Sequence, residues 1–175
     1  MAAKRALTSR IGRLFKHRLL DESDTRKAIP PALLARLQQQ VAASERRHSG
    51  EIRIYVEASL PSGYVWRDAT PRERAVAMFA KLGVWDTEHN NGVLIYLLLA
   101  ERAIEIVADR SLSRRVPAAE WAAMVQRMGA AFREGRFEEG LTQAVDEVSA
   151  VLARHYPLAP GASNSNELPD EPVLG

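Results

Sequence analysis

Apolar positions along this chain change their spacing in a regular order, and each change marks an element. From Lys4 to Leu20, Leu7, Ile11, Leu14, Phe15 and Leu19 recur among basic residues, which predicts a helix with one apolar stripe. Pro30 and Pro31 open a second helix with Leu33, Leu34, Leu37 and Val41 on one side, ending before Gly50. Between Glu51 and Glu57 the period drops to two. Ile52, Ile54 and Val56 face one way and Glu51, Arg53, Tyr55 and Glu57 the other, the pattern of a half-buried strand. Thr70-Pro71-Arg72-Glu73 has capping-box spacing with proline in the first turn. The helix behind it is expected to bury Ala75, Met78, Phe79 and Leu82 and to stop at Gly83. Gly92 to Leu99 is apolar on both faces, as a central strand covered by helices would be, and Arg102 to Ala108 alternates again. Two helices close the pattern, one striped by Trp121, Met124, Val125, Met128 and Phe132, the other by Phe137, Leu141, Val145, Val148 and Leu152.

The link Ala100-Glu101 is too short for a crossover, so the second and third strands are expected to form an antiparallel hairpin. Strand one, helix and strand two make a right-handed crossover, which sets those strands parallel. The fold class is therefore α/β: a single three-layer α/β/α sandwich with a small mixed sheet. Residues 1–27 form a basic helical extension and 28–156 the domain. Residues 157–175, with Pro157, Pro160, Pro169 and Pro172 among Gly, Ser, Asn and acids, are expected to be a disordered tail.

The chain has 175 residues, 46% hydrophobic and 26% charged, without cysteine. Disulfides, zinc thiolates, iron–sulfur clusters and thiol chemistry are thereby excluded. Met1 to Leu20 lacks the continuous apolar core and cleavage site of a secretory leader, so a cytoplasmic location is expected. The isoelectric point of about 9.1 suggests a nucleic-acid partner until the charge is located. Residues 1–27 carry +5 and residues 157–175 carry −3, while 28–156 hold equal numbers of acids and bases. A neutral domain lacks the broad basic face that duplex binding needs, so no nucleic-acid partner is expected. The basic first helix has two readings: a surface for anionic lipid or a membrane-associated protein partner, through Lys4 to Leu20, or a helix folded onto its own domain with its arginines wet.

Topology gathers the chemistry at one end of the sheet. The loop Gly83 to Asn91 enters strand two, and Asp109-Arg110 leaves strand three beside it. Asp86, Glu88, Asn90, Asn91 and Asp109 therefore share one rim, with Glu51 nearby. Side-chain oxygens in a short loop suit a hard cation such as calcium or magnesium. Asp86 to Gly92 resembles the start of an EF-hand loop, but Asn91 and Leu97 occupy the positions that need glycine and glutamate. Turn chemistry competes with this reading, since Asn and Asp excel at capping and turning a chain. Trp85 is expected to pack under the loop, and His89 is the histidine near enough to move a proton there. No nucleophile elbow, Walker motif or dinucleotide glycine motif occurs.

Gly50-Glu51-Ile52, Arg74 to Leu82, Asn90-Asn91-Gly92-Val93-Leu94, and Phe132-Arg133-Glu134-Gly135-Arg136-Phe137 with Gly140-Leu141 together resemble the TPM-domain family over residues 32–154. Val84 to Glu88 with Ile106 to Arg110 resembles a compact bacterial subgroup without the leader and membrane anchor common elsewhere in it. The resemblance implies an α/β/α fold with a divalent-cation site at this rim. It also implies acid phosphatase activity on a small phosphate ester, as in thylakoid-lumen members involved in photosystem II repair. Asn90 stands where the family has an acid, and Ser113 where its turn ends in glutamate. Fewer loop charges imply weak cation binding and, with it, weak phosphatase activity. The alternative is a non-catalytic interaction module docking on a membrane-associated protein.

Overall fold

The computed structural model describes residues 12–159, 161–162 and 164–175. After a helix over residues 12–18 (α1) come α2 (Glu22–Ala28), α3 (Pro31–Glu45), β1 (Ile52–Glu57), α4 (Ser62–Trp66), α5 (Pro71–Lys81), β2 (Val93–Leu98) and β3 (Ala103–Ala108). Then follow α6 (Arg110–Arg115), α7 (Ala118–Arg133), α8 (Phe137–His155) and β4 (Val173–Leu174). The predicted capping box is present: the Thr70 side chain accepts the Glu73 N–H, and the Glu73 carboxylate accepts the Thr70 N–H.

The strands form one sheet in the order β3-β2-β1-β4. β1 pairs parallel with β2 from Ile52↔Val93 to Glu57↔Leu98, and β2 pairs antiparallel with β3 from Val93↔Ala108 to Leu98↔Ala103. A single 3₁₀ turn, Leu99–Glu101, closes that hairpin, with Arg102 in the left-handed region at φ 49°. Each face of the sheet has its own core, the reason for three layers. Ile52, Ile54, Val56, Ile95 and Leu97 pack with Leu37, Phe132, Leu141 and Val148 from α3, α7 and α8. Tyr55, Leu94, Tyr96 and Leu98 pack on the opposite side with Val65, Ala75 and Met78 from α4 and α5. The last two helices approach closely because Gly140 has no side chain: a Cβ there would lie 2.9 Å from the Phe132 ring.

Two expectations need correction. β1 is buried on both faces rather than half-buried. Part of the cause, beside the α4–α5 layer over Tyr55 and Glu57, is the second correction: the described part of 157–175 is not a disordered tail but returns along β1. β4 pairs parallel with β1 at Tyr55↔Val173 and Val56↔Leu174. The Gly175 N–H donates to the Val56 carbonyl, and the Ala58 N–H donates to the Gly175 carbonyl, each at 2.9 Å. Leu168 is buried in the second core. Arg53, assigned to the wet face by its alternation, donates to the carbonyls of Pro169 and Glu171. Low apolar content did not prevent ordering, because individual backbone groups find fixed partners on an open sheet edge.

Candidate functional site at the strand-entry rim

The parallel strands bring their amino ends to one rim, and backbone hydrogen bonds stitch it. The Val93 N–H donates to the Glu51 carbonyl at 2.8 Å, and the Asp109 N–H to the Gly92 carbonyl at 2.9 Å. Gly92 is required there, since a Cβ would lie 2.0 Å from the Val84 carbonyl oxygen.

Of the five predicted ligands, Asn91 and Asp109 lie in the interior of this rim. Asn91 is fully buried; its amide donates to the Ser49 carbonyl at 3.0 Å, and its own N–H donates to Thr87 Oγ1 at 3.1 Å. Asp109 caps the short helix α6, one carboxylate oxygen accepting the Arg110 N–H. The amide oxygen of Asn91, Oδ1, and the second carboxylate oxygen of Asp109, Oδ2, are buried without a hydrogen-bond partner. Such a group costs about 1–3 kcal/mol if nothing satisfies it.

Asp86, Glu88 and Asn90 are exposed. The Asp86 N–H donates to the Gly83 carbonyl, and Asn90 sits at φ 52°, so this part of the loop performs the turn chemistry that competed with cation binding. Among the described residues, no three acidic or histidine side chains are grouped to hold a metal ion. Glu51 is not part of an open rim either. Its carboxylate is fully buried beneath the returning segment, accepting from Asn164 Nδ2 at 2.8 Å and from the Leu168 N–H at 3.2 Å. Burial raises its pKa above the usual carboxylate value, against the pull of those hydrogen bonds. Glu167 on the same segment accepts the Glu88 N–H at 2.9 Å, tying the tail to the loop.

Trp85 does not pack under the loop. It is half-exposed, donates to the Ala80 carbonyl, and lines a cavity of about 740 Å³ with His89, Asn90 and Asp109. The opposite wall holds Arg110, Arg114 and Arg115. Among the described residues none of these guanidiniums is in an ion pair. Arg115 lies 4.9 Å over the Tyr156 ring, whose hydroxyl is 2.6 Å from Ser111 Oγ. Arg114 and Arg115 were not anticipated. Asp109 as a helix cap and Pro117 as a stop, eight residues later, mark the short helix that carries them.

A family model of the TPM domain matches residues 23–151. Among solved structures, the BA42 protein of the psychrophilic bacterium Bizionia argentinensis superposes with a TM-score of 0.72 at 23% identity, covering 84% of this chain and 95% of that one. The N-terminal domain of a P. gingivalis protein superposes with a TM-score of 0.59 at 22% identity, covering 72% and 77%. No curated protein matches. The two likenesses carry the fold alone, and no helix among the described residues is long and apolar enough to cross a membrane. With the family model spanning most of the domain, this chain belongs to the TPM-domain family.

Proposed function

We propose that this TPM domain binds a divalent cation weakly at the strand-entry rim and acts there on small phosphate esters at a low rate, in a cytoplasmic setting. The observation that carries this reading is the unpartnered buried oxygen Asp109 Oδ2, on a residue that lines a cavity together with three arginines whose guanidiniums are free of ion pairs among the described residues; Asn91 Oδ1, buried in the same rim, is a second unpartnered oxygen. Both orphaned atoms are hard oxygen donors, the type that calcium and magnesium take. Asp86, Glu88 and Asn90 are the further oxygens within the same loop, and their exposure agrees with weak rather than tight binding. A divalent cation, when bound, supplies Lewis-acid polarisation of a phosphoryl oxygen. Arg110, Arg114 and Arg115 would hold the ester's remaining oxygens, guanidinium geometry matching phosphate bidentately. His89 would deliver a proton to the departing oxygen.

The test is an amide NMR titration with calcium, then with inorganic phosphate. Shifts confined to 84–92 and 109–113 at ~10⁻³ M calcium, lost in Asp109→Ala, are expected of a weak oxygen site. Phosphate shifts that persist in Asp109→Ala but vanish in Arg114→Ala with Arg115→Ala assign the cavity. Equal hydrolysis of a generic phosphate ester by the wild type and Asp109→Ala would remove the catalytic part of the reading.

A further inference from the structure

α1 turns two of its polar side chains, Arg13 and His17, toward the domain. The buried His17 accepts the Leu60 N–H at Nδ1 and donates through Nε2 to Glu101 at 2.9 Å. Arg13 bridges Glu101, Asp68 and the Ala69 carbonyl. Of the apolar residues here, Leu14 packs partly buried against the second core, whereas Phe15 is 66% and Leu19, just past the helix end, 79% exposed. These two stand four residues apart, and the sequence continues the same interval upstream at Ile11 and Leu7, outside the described residues. Single exposed apolar residues need no explanation, but a row at helical spacing does.

The charge along the row is of one sign up to Leu20, and Asp21, the first acid after it, caps α2 by accepting the Ser23 N–H. Residues 1–20 contain six Lys and Arg and no acid. Lys16 and Arg18 are exposed beside Phe15 and Leu19. The acids nearest in space, Asp68 and Glu101, are engaged by Arg13 and His17, and downstream Glu22 and Asp24 by Arg26 and Lys27. A mainly apolar cavity of about 370 Å³ is lined by Phe15 and Arg18 and by Ser62 and Val65 of α4, and Trp66, the last residue of α4, is 65% exposed. Apolar side chains ringed by cations match the boundary between headgroups and acyl chains of an acidic bilayer. A protein groove would instead call for an acidic rim on the partner to meet the same cations.

We propose that the outer row of the N-terminal helix, Phe15 and Leu19 with Lys16 and Arg18, docks this domain on an anionic lipid surface. The aromatic and leucine side chains enter the interface, and the cations meet lipid phosphates. Sedimentation of the full chain with vesicles tests this, using phosphatidylcholine alone or with about a third phosphatidylglycerol. At low salt the wild type partitions onto the acidic vesicles at least about tenfold more than onto neutral ones, and salt releases it. Phe15→Ser with Leu19→Ser lowers that partitioning about tenfold while the melting curve stays unchanged, because neither side chain is part of the core. Lys16→Gln with Arg18→Gln weakens it and flattens the salt dependence. A wild type that remains in the supernatant with acidic vesicles overturns the proposal and leaves the row to a protein partner. Serine variants that sediment like the wild type overturn it equally.

Discussion

Arg74 on α5 clasps Glu57 at the end of β1 through two of its nitrogens, Nε at 2.9 Å and Nη2 at 2.5 Å. Tyr96 on the neighbouring strand donates to the same carboxylate at 2.6 Å, stacked on Tyr55. Removing one partner of a buried pair leaves a charge without compensation, which costs about 3–5 kcal/mol. Arg74→Ala is therefore expected to lower the unfolding free energy by that amount in urea titrations. Tyr96→Phe, which removes one charge-assisted bond, should lose about 1.5–3 kcal/mol.

The returning segment makes a separate prediction. Leu168→Ala empties a position in the second core and should cost about 2 kcal/mol, the lower end for a leucine near the surface. Truncation before Asn164 also strips the Glu51 carboxylate of both described donors and bares the outer edge of β1. In hydrogen exchange, the Ala58 amide, which donates to Gly175, is then expected to lose its protection, while β2 amides keep theirs.

Stability should depend on pH through two buried groups of opposite sense. Burial pushes Glu45 up to about 8, and the nearby charges of Glu51 and Asp170 add to this, although its carboxyl accepts the Ile52 N–H. A raised folded-state value means that its contribution is complete below the unfolded pKa of 4.5 and is lost as pH climbs toward 8. Burial lowers His48 to about 4; its Nδ1 donates to the Gly50 carbonyl and its Nε2 accepts from Ser149. That contribution is complete above 6.5 and is lost as pH falls toward 4. Glu45→Gln, which keeps an acceptor for Ile52, is expected to flatten the alkaline limb in denaturant titrations and leave the acidic limb intact.

Gly140→Ala would press a methyl group into the Phe132 ring. Overpacking of this kind costs about 1–3 kcal/mol. A melting-temperature drop that disappears when Phe132 is replaced by leucine as well would show that the ring is the obstacle.

The elements carrying the fold were legible because burial imposes its period on sequence: the run Ile52, Ile54, Val56 and the two-faced apolar run of β2 fix strand identity, and the short hairpin link fixes direction. Those rules also place Asp109 opposite Gly92, one residue after Asn91, at the same end of the sheet. Side-chain aim was not legible. The left-handed turn at Asn90 leaves Asp86 and Glu88 exposed, and nothing in their spacing encodes that. The return of the tail escaped composition because its attachment depends on a few singular partners, such as Arg53 reaching the carbonyls of Pro169 and Glu171, rather than on a periodic face. Arg53 looked like a solvent-side residue for want of the returning segment whose carbonyls it reaches, and Tyr55 for want of the α4–α5 layer and Leu168 that cover it.

The separation of β4 from β1 along the chain has a kinetic consequence. Arg53 and the Glu171 that it holds are 118 residues apart, whereas β2 and β3 meet across a tight turn. Closing so long a loop carries the larger entropic cost, and the ladder that closes it has two residue pairs beside the side-chain contacts of the segment before it. The sheet is thus expected to start from the β2–β3 hairpin and to close on the β4 side last, and β4 is expected to open before the other strands in the native state.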